Sequence, residues 1–390
     1  MYSSEYFDFQ LDRMGTNTYK WDWARETYGK DILPLFVADM DFRSAAEISQ
    51  MLVSRAQHNT FGYTRSSEKE YQAVIDFVSH HHGQSLKKED IVLMPSVVTG
   101  LKVFIRCFSE AGEGVVIQSP VYGQFFKSIE SNRRTVVENP LLRDGQGRYS
   151  MDFDHLEDLF RKGKRRLIVC NPHNPVSRYW SKEELTRLLQ LAMRYDVFVC
   201  SDEIHADFIY PPHTFVSLLT IAKELGYDKV LSLYAPSKTF NIAGMKLAYL
   251  FCCNKAMRER IAAEQEACGI ESGNIFGLIS ANAAFTYGDE WLKGLIQYLD
   301  GSRRILTEEL GKIDGLKLTP IEATYLAWMD LRSFGYSAKD LTERCLKQNV
   351  LFTEGSYFNH EKGEGYLRFN FGCPRANIYE GIERLKRALK

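Results

Sequence analysis

A lysine that could take part in covalent chemistry lies in residues 237–244, Ser-Lys-Thr-Phe-Asn-Ile-Ala-Gly. The apolar run at 230–235 predicts a buried strand, which Pro236 ends. Lys238 therefore follows the carboxyl end of a strand, where open α/β sheets bind their ligands. Its amine can form a Schiff base with an aldehyde, while the flanking Ser and Thr hydroxyls hold a phosphate. A solvated loop lysine is the simpler interpretation, so the hypothesis depends on what else reaches this place.

A carboxylate follows a second apolar run. Residues 197–200 predict a central parallel strand, with Asp202 at its end and His205 three residues later. A carboxylate in that position can keep a pyridine nitrogen protonated, so that the ring accepts electrons. Capping of a following helix is the alternative for Asp202. The chain between Asp202 and Lys238 is long enough for a helical crossover within one sheet.

An amide follows a third apolar run, at 167–169. Residues 170–177 contain two Asn-Pro pairs, which make a rigid turn at a strand end. We select Asn174 as a donor to the phenolic oxygen of a pyridine cofactor, with ordinary turn chemistry as the alternative. An amide, a carboxylate and a lysine at three strand ends form a specific constellation.

With these residues in place, the chain resembles the fold-type I pyridoxal phosphate enzymes of the aminotransferase class I/II superfamily. More narrowly it resembles the cystathionine β-lyases and cystalysin-like C–S lyases of the MalY/PatB group. That likeness extends from near residue 7 to the C-terminus and rests on segments 16–22, 37–42, 61–64, 171–175, 201–205 and 235–244. It implies pyridoxal 5'-phosphate as cofactor, bound through Lys238, with Asp202 and Tyr122 as further catalytic residues and Ser237 among the cofactor's contacts.

The substrate side of the site includes an arginine inside an apolar strand. Burying the guanidinium of Arg368 is costly unless it is paired, and arginine suits bidentate binding of a carboxylate. The resemblance makes Arg368 the clamp for the substrate α-carboxylate, helped by Asn174 and by backbone near Ala38. An internal ion pair is the alternative for Arg368.

The cofactor's phosphate has candidates on several segments. A strand, a turn and a helix start at 90–102 place Val98, Thr99 and Gly100 at a helix N-terminus, where N–H groups attract phosphate. Simple capping by Thr99 is the alternative, and both can hold. The resemblance adds Lys246 as a counter-charge and Tyr63 as a residue that reaches the neighbouring subunit's phosphate, which implies a homodimer.

Tyr122 follows another predicted strand and can stack on a pyridine ring, with a core tyrosine as the alternative. His205 stands where aminotransferases have a tyrosine, and we expect it near the phenolic oxygen. The C–S lyases of this group often carry a second tyrosine after the first, where this chain has Gly123. This departure leaves the fine active-site geometry, and with it the substrate range, open.

Composition excludes several classes of protein. The chain has 390 residues, a formal net charge of −1 and 25% charged residues, which does not favour nucleic acid as a partner. No apolar run has membrane-spanning length and the N-terminus lacks a signal peptide, so we expect no membrane association and a cytoplasmic protein. Eight cysteines without a C-x-x-C pair indicate packed, reduced thiols. Three adjacent histidines at 80–82 predict a solvated helix end rather than a metal site.

Alternating strands and helices predict an α/β fold with a mostly parallel, seven-stranded sheet and a smaller α+β domain. We expect a large cofactor-binding domain at 48–287. The small domain combines 288–390 with residues 1–47, an arm followed by a short extended segment. A long helix at 289–313 is predicted to link the two domains.

These residues predict α,β-elimination from cystathionine or a related L-cysteine thioether, giving pyruvate, ammonia and a thiol such as homocysteine. Lys238 removes the Cα proton, and a thiolate leaves from Cβ. Two alternatives stay open: a class I/II aminotransferase, which uses the same groups at first, and a cofactor binder or lyase with a regulatory protein-binding role.

Overall fold

The computed structural model describes residues 2–270, 273–359 and 361–390. The helices in chain order are α1 Ser4–Asp8, α2 Asp22–Tyr28, α3 Ala46–Gln57, α4 Glu68–His82, α5 Val97–Phe108, α6 Gln124–Ser131, α7 Phe153–Arg161, α8 Lys182–Arg194, α9 Leu218–Leu225, α10 Pro236–Thr239, α11 Lys255–Ala267, α12 Ile275–Tyr287, α13 Asp289–Gly311, α14 Ala338–Lys347 and α15 Arg375–Leu389. Short 3-10 turns occur at Lys88–Asp90, Ala243–Met245, Arg332–Phe334 and Gly355–Tyr357.

The strands are β1 Leu33–Pro34, β2 Ile91–Met94, β3 Gly114–Ile117, β4 Thr135–Glu138, β5 Leu142–Arg143, β6 Tyr149–Ser150, β7 Arg166–Cys170, β8 Phe198–Asp202, β9 Val230–Tyr234, β10 Ala248–Phe251, β11 Lys317–Leu318, β12 Leu326–Asp330, β13 Val350–Leu351, β14 Thr353–Glu354 and β15 Tyr366–Asn370. Seven of them form one sheet in the order β2-β10-β9-β8-β7-β3-β4. Only β10 runs antiparallel to its neighbours in that sheet. The predicted mostly parallel, seven-stranded sheet is confirmed.

The apolar runs form the central strands because helices cover both faces of the sheet. One buried cluster, which includes Phe104, Phe125 and Ile261, lies on the face covered by α5, α6 and α11. A larger cluster includes Leu188 and Trp291 and continues into the C-terminal part at Leu326. Burial on both faces explains why β7, β8 and β9 show continuous apolar runs rather than alternation.

A second sheet of four antiparallel strands, in the order β11-β12-β15-β14, forms the α+β part near the C-terminus. The predicted long helix is α13, which spans 23 residues. Strand β1 pairs in parallel with β13, so the N-terminal residues are tied to the C-terminal ones.

The first 47 residues differ from the predicted arm, because they contain the short helices α1 and α2. Asp22, the first residue of α2, fixes the loop before the helix, because its carboxylate accepts the N–H groups of Gly15 and Thr18 at 2.8 Å. Such side-chain contacts carry no periodicity, which is why hydrophobic spacing did not indicate them. Strand β10 begins at Ala248, and Lys246 before it has a left-handed φ of 53°.

The histidine run ends helix α4 as predicted, with Gly83 in the left-handed conformation. The prediction of a solvated helix end was wrong for His82, which is buried. Its Nε2 lies 2.7 Å from Oδ1 of Asp207. His80 and His81 lie at the surface with Asp289, and the nearest ligand atoms of these three lie within 4.8 Å of one another.

All eight cysteines are free thiols. Within the described residues, every helix is too short or too polar to cross a bilayer.

Candidate active site

A cavity of about 620 Å³ lies at the carboxyl ends of β7, β8 and β9. These ends are adjacent because Cys170 is the register partner of Asp202, and Asp202 that of Leu233. The cavity is lined by most of the residues that the sequence singled out: Ala38, Val98, Tyr122, Asn174, Asp202, His205, Ser237, Lys238, Lys246 and Arg368. Thr99 and Tyr63 are not part of its lining.

Lys238 lies in the short helix α10, directly after β9, and its Nζ donates to the carbonyl oxygen of Ala38. Burial lowers the pKa of Lys238 to about 8, against the opposing effect of the Asp39 carboxylate. A neutral amine, able to accept a proton, is therefore accessible near physiological pH.

The two hydroxyls beside Lys238 point to different places. Ser237 lines the cavity. Thr239 is fully buried and donates to Oδ2 of Asp207 at 2.5 Å. The expectation that both hydroxyls hold a phosphate was therefore wrong for Thr239, which anchors the helix instead.

Asp202 is the last residue of β8 and is only 2% exposed. Its Oδ1 accepts the N–H of Ile204 at 3.2 Å, but a turn rather than a helix follows, so the helix-cap alternative was wrong. Burial raises the pKa of Asp202 to about 7. A buried carboxylate at the base of a cavity is strongly stabilised by any cation that binds beside it.

His205 is buried against Tyr325 and Phe208, and its Nδ1 has no hydrogen-bond partner in the described residues. Burial, together with the charges of Lys238 and Arg368, lowers the pKa of His205 to about 3. The imidazole is therefore neutral, with one ring nitrogen unsatisfied, which is costly unless a ligand completes it.

Arg368 projects from β15 into the same cavity and is 3% exposed. Its guanidinium donates to Oδ1 of Asn174 at 3.0 Å and to the carbonyl oxygen of Phe36 at 2.7 Å. Among the described residues, no carboxylate pairs with Arg368, and its Nε has no partner. The internal ion pair weighed as an alternative was wrong, and burial lowers the pKa of Arg368 to about 10.

The N-terminus of α5 forms one end of the cavity. Ser96 caps this helix: its Oγ accepts the N–H of Thr99 at 3.1 Å and its carbonyl oxygen that of Gly100. The N–H groups of Val97 and Val98 are left at the helix start. Because Ser96 accepts the N–H groups of Thr99 and Gly100, these two residues contribute no free N–H. Gly100 packs closely on the side chain of Leu233, where a Cβ would clash.

Sequence analysis missed Ser96, although serine before an apolar helical run is a recognised start signal. Ser237 and Lys246, which has a left-handed backbone, line the same cavity, so it offers N–H groups, a hydroxyl and an ammonium. Such a set binds phosphate.

Tyr122 borders the cavity, with its ring centroid 6.3 Å from that of Tyr357 at an angle of 61°. Burial raises the pKa of Tyr122 well above its usual range, so the phenol stays protonated. Tyr357 lies over Gly123, where a Cβ would be 2.5 Å from the Tyr357 carbonyl oxygen and 2.8 Å from its ring. No local pattern in the sequence indicated Tyr357, which is brought here by the C-terminal part of the chain.

Tyr63 lies in the loop between α3 and α4 and is fully exposed, as Phe61 is in large part. It remains a predicted contact to a second subunit, since nothing in a single chain brings it to the cavity.

A family profile described as Aminotransferase class I and II matches residues 33–385. The chain belongs to the aminotransferase class I and II family. It is 36% identical to cystathionine β-lyase PatB of Bacillus subtilis (strain 168), over 98% of this chain and 99% of that protein. It is 32% identical to protein MalY of Escherichia coli (strain K12), over 98% and 99% of the two chains.

Among solved structures, the chain is similar to cystalysin from Treponema denticola, which contains a pyridoxal 5'-phosphate cofactor. The TM-score is 0.94 at 32% identity, covering 98% of each chain. The predicted family and fold are thereby confirmed.

The residues around the cavity fit pyridoxal 5'-phosphate. The phosphate matches the start of α5, and the buried carboxylate of Asp202 matches a protonated ring nitrogen. The unsatisfied Nδ1 of His205 offers a polar contact to the ring's substituents. Lys238 supplies the amine that the aldehyde requires.

Proposed function

We propose that this protein is a pyridoxal phosphate-dependent C–S lyase that cleaves cystathionine or a related L-cysteine thioether. With water, the thioether gives pyruvate, ammonia and a free thiol. The relatives named cystathionine β-lyase support the reaction class. The observation that carries the proposal is the buried Arg368, which has no carboxylate partner among the described residues and shares the cavity with Lys238.

Arg368 binds the α-carboxylate of the amino acid in this proposal. Binding completes a guanidinium whose Nε is unsatisfied and whose burial is already unfavourable. The guanidinium of Arg368 is oriented by two acceptors: Oδ1 of Asn174 binds Nη1, and the carbonyl oxygen of Phe36 binds Nη2. A carboxylate held on two nitrogens fixes the orientation of Cα.

Lys238 acts as the base that takes the proton from Cα. Its lowered pKa leaves a useful fraction of neutral amine at neutral pH, and the Ala38 carbonyl holds the amine at the cavity wall. When bound, pyridoxal phosphate supplies an aldehyde that condenses with amines and a ring that accepts the electron pair released at Cα. The bond from Cβ to sulfur then breaks, and the thiolate takes up a proton.

Asp202 stabilises positive charge at the base of the cavity and thereby favours a protonated pyridine nitrogen. The pKa of Asp202, which burial raises, falls when a cation binds beside it. His205 and Asn174 lie at the neighbouring strand ends, where they can hydrogen-bond an oxygen substituent of the ring.

The working unit in this proposal is a homodimer. Tyr63 and Phe61 form an exposed aromatic loop, which costs free energy in a monomer and is typical of an interface. Tyr63 contacts the neighbouring subunit's phosphate end. We retain 48–287 as the cofactor-binding domain and 1–47 with 288–390 as the smaller domain that carries Arg368.

The test uses purified holoenzyme and cystathionine, with no keto acid present. Release of pyruvate and free thiol in equal amounts supports the lyase. Strict dependence on an added keto acid would contradict it and favour the aminotransferase alternative. Lys238→Ala should abolish turnover, whereas Lys293→Met, an exposed lysine on α13, serves as the matched control.

A further inference from the structure

The outer wall of the cavity is built by Tyr357, whose ring occupies space that Gly123 leaves open. A side chain at position 123 would displace this ring, because its Cβ would lie 2.8 Å from the ring carbon Cζ. Tyr357 packs beside Tyr122, with ring centroids 6.3 Å apart, and against Phe358, with ring centroids 5.1 Å apart. The wall therefore has a defined position, although it comes from a distant part of the chain.

Two cations lie near Tyr357. The charge of Arg368 acts on its hydroxyl and opposes the rise in pKa that burial causes. The Nζ of Lys127 lies 5.8 Å from the centroid of its ring. Lys127 follows Gly123 by one turn of α6 and lines the same cavity.

The ammonium of Lys127 is exposed and, among the described residues, forms no ion pair with a carboxylate. Tyr19 completes the mouth of the cavity with an exposed ring that stacks on Trp23 at 4.6 Å. The mouth thus combines aromatic walls with the ammonium of Lys127.

We propose that Lys127 and Tyr357 form a distal subsite for a carboxylate on the leaving thiol, so that the enzyme prefers thioethers with an anionic distal group over neutral alkyl thioethers. This inference rests on the proposed function. A substrate whose α-carboxylate is on Arg368 extends its Cβ substituent along Tyr357 toward Lys127. The thioether methylenes pack on the ring, and the distal carboxylate meets the ammonium.

The experiment compares S-(2-carboxyethyl)-L-cysteine with S-propyl-L-cysteine on the holoenzyme. The ratio of their kcat/KM values should fall about twofold to fivefold in Lys127→Met, mainly through KM, and should be retained in Lys127→Arg. The control Lys293→Met removes an exposed charge away from the cavity. The wild-type ratio should also decrease as salt is raised, because the contact is exposed. An unchanged ratio in Lys127→Met would overturn the proposal.

A binding measurement separates this inference from the proposed function. L-2-aminopimelate and L-2-aminoheptanoate match the two thioethers in length but have no leaving group at Cβ. Titration calorimetry of the holoenzyme should show tighter binding of the dicarboxylate, by a factor that Lys127→Met reduces and Lys127→Arg retains. If no thioether yields pyruvate, the lyase proposal fails, while this titration still decides the subsite. Equal affinities in the wild type would refute the subsite.

Discussion

The carboxylate of Asp207 joins His82 to the helix that carries Lys238. Its Oδ1 lies 2.7 Å from Nε2 of His82, and its Oδ2 accepts the hydroxyls of Tyr234 at 2.7 Å and of Thr239 at 2.5 Å. Thr239 is the neighbour of Lys238. The buried C-terminal end of α4 thus helps to hold α10, and with it Lys238, in position.

Replacing Asp207 by Asn should destabilise the protein by about 2–4 kcal/mol, because a buried, fully hydrogen-bonded carboxylate is lost. Chemical unfolding in urea measures the change. The matched control is Asp289→Asn, which removes a similar contact of 2.9 Å to the adjacent His81 at the surface. That control should change stability by less than about 1 kcal/mol, as exposed pairs do. Equal effects of the two variants would contradict a supporting role for Asp207.

Arg368→Lys should raise KM for the amino acid at least about tenfold and affect kcat less. Lysine keeps the charge but loses the fork that Asn174 and the Phe36 carbonyl hold in place. Steady-state kinetics with cystathionine give both constants. Arg332→Lys is the control, since Arg332 lies at the surface on Asp330. An unchanged KM in Arg368→Lys would contradict the binding of the substrate's carboxylate by Arg368.

Asp202 should make the cofactor-free protein less stable as the pH rises. Its pKa is about 7 in the folded protein against 3.8 ordinarily. Between these values the folded state keeps a proton that the unfolded chain releases, so unfolding becomes more favourable with rising pH.

Asp202→Asn should consequently be more stable than the wild type at pH 8 by roughly 1–3 kcal/mol, and the difference should vanish near pH 4. Urea unfolding of the cofactor-free proteins across this range provides the measurement. Asp314→Asn, an exposed position after α13, controls for the loss of a charge. A difference that is the same at both pH values would argue against a protonated Asp202.

In the cofactor-free protein, the amine of Lys238 should lose its proton at a lower pH than an ordinary lysine. Competitive acylation followed by mass spectrometry should show half-maximal reactivity near pH 8, where burial places its pKa. Asp39→Asn should lower that midpoint further, since the Asp39 carboxylate raises the pKa of Lys238. A midpoint near 10.5, the ordinary lysine pKa, would contradict the buried environment.

Local sequence was sufficient to predict the strands of the large sheet and the polar residues at their carboxyl ends. Strands buried on both faces need continuous apolar runs, so β7, β8 and β9 were visible without any alignment. Polar residues at the ends of parallel strands meet at one edge of the sheet, and Asn174, Asp202 and Lys238 could be grouped for that reason. Short helices such as α2 have no comparable periodic pattern in the sequence.

Only the tertiary structure decided which distant residues complete the cavity. Asn174 meets Arg368, Lys238 meets Ala38, and Tyr357 fills the space above Gly123. The resemblance to known lyases implied some of these roles, but the contacts themselves depend on how the second sheet packs against the first. Hydrophobic periodicity specifies which face of an element is buried and not which partner it meets, so contacts between distant segments are determined by packing.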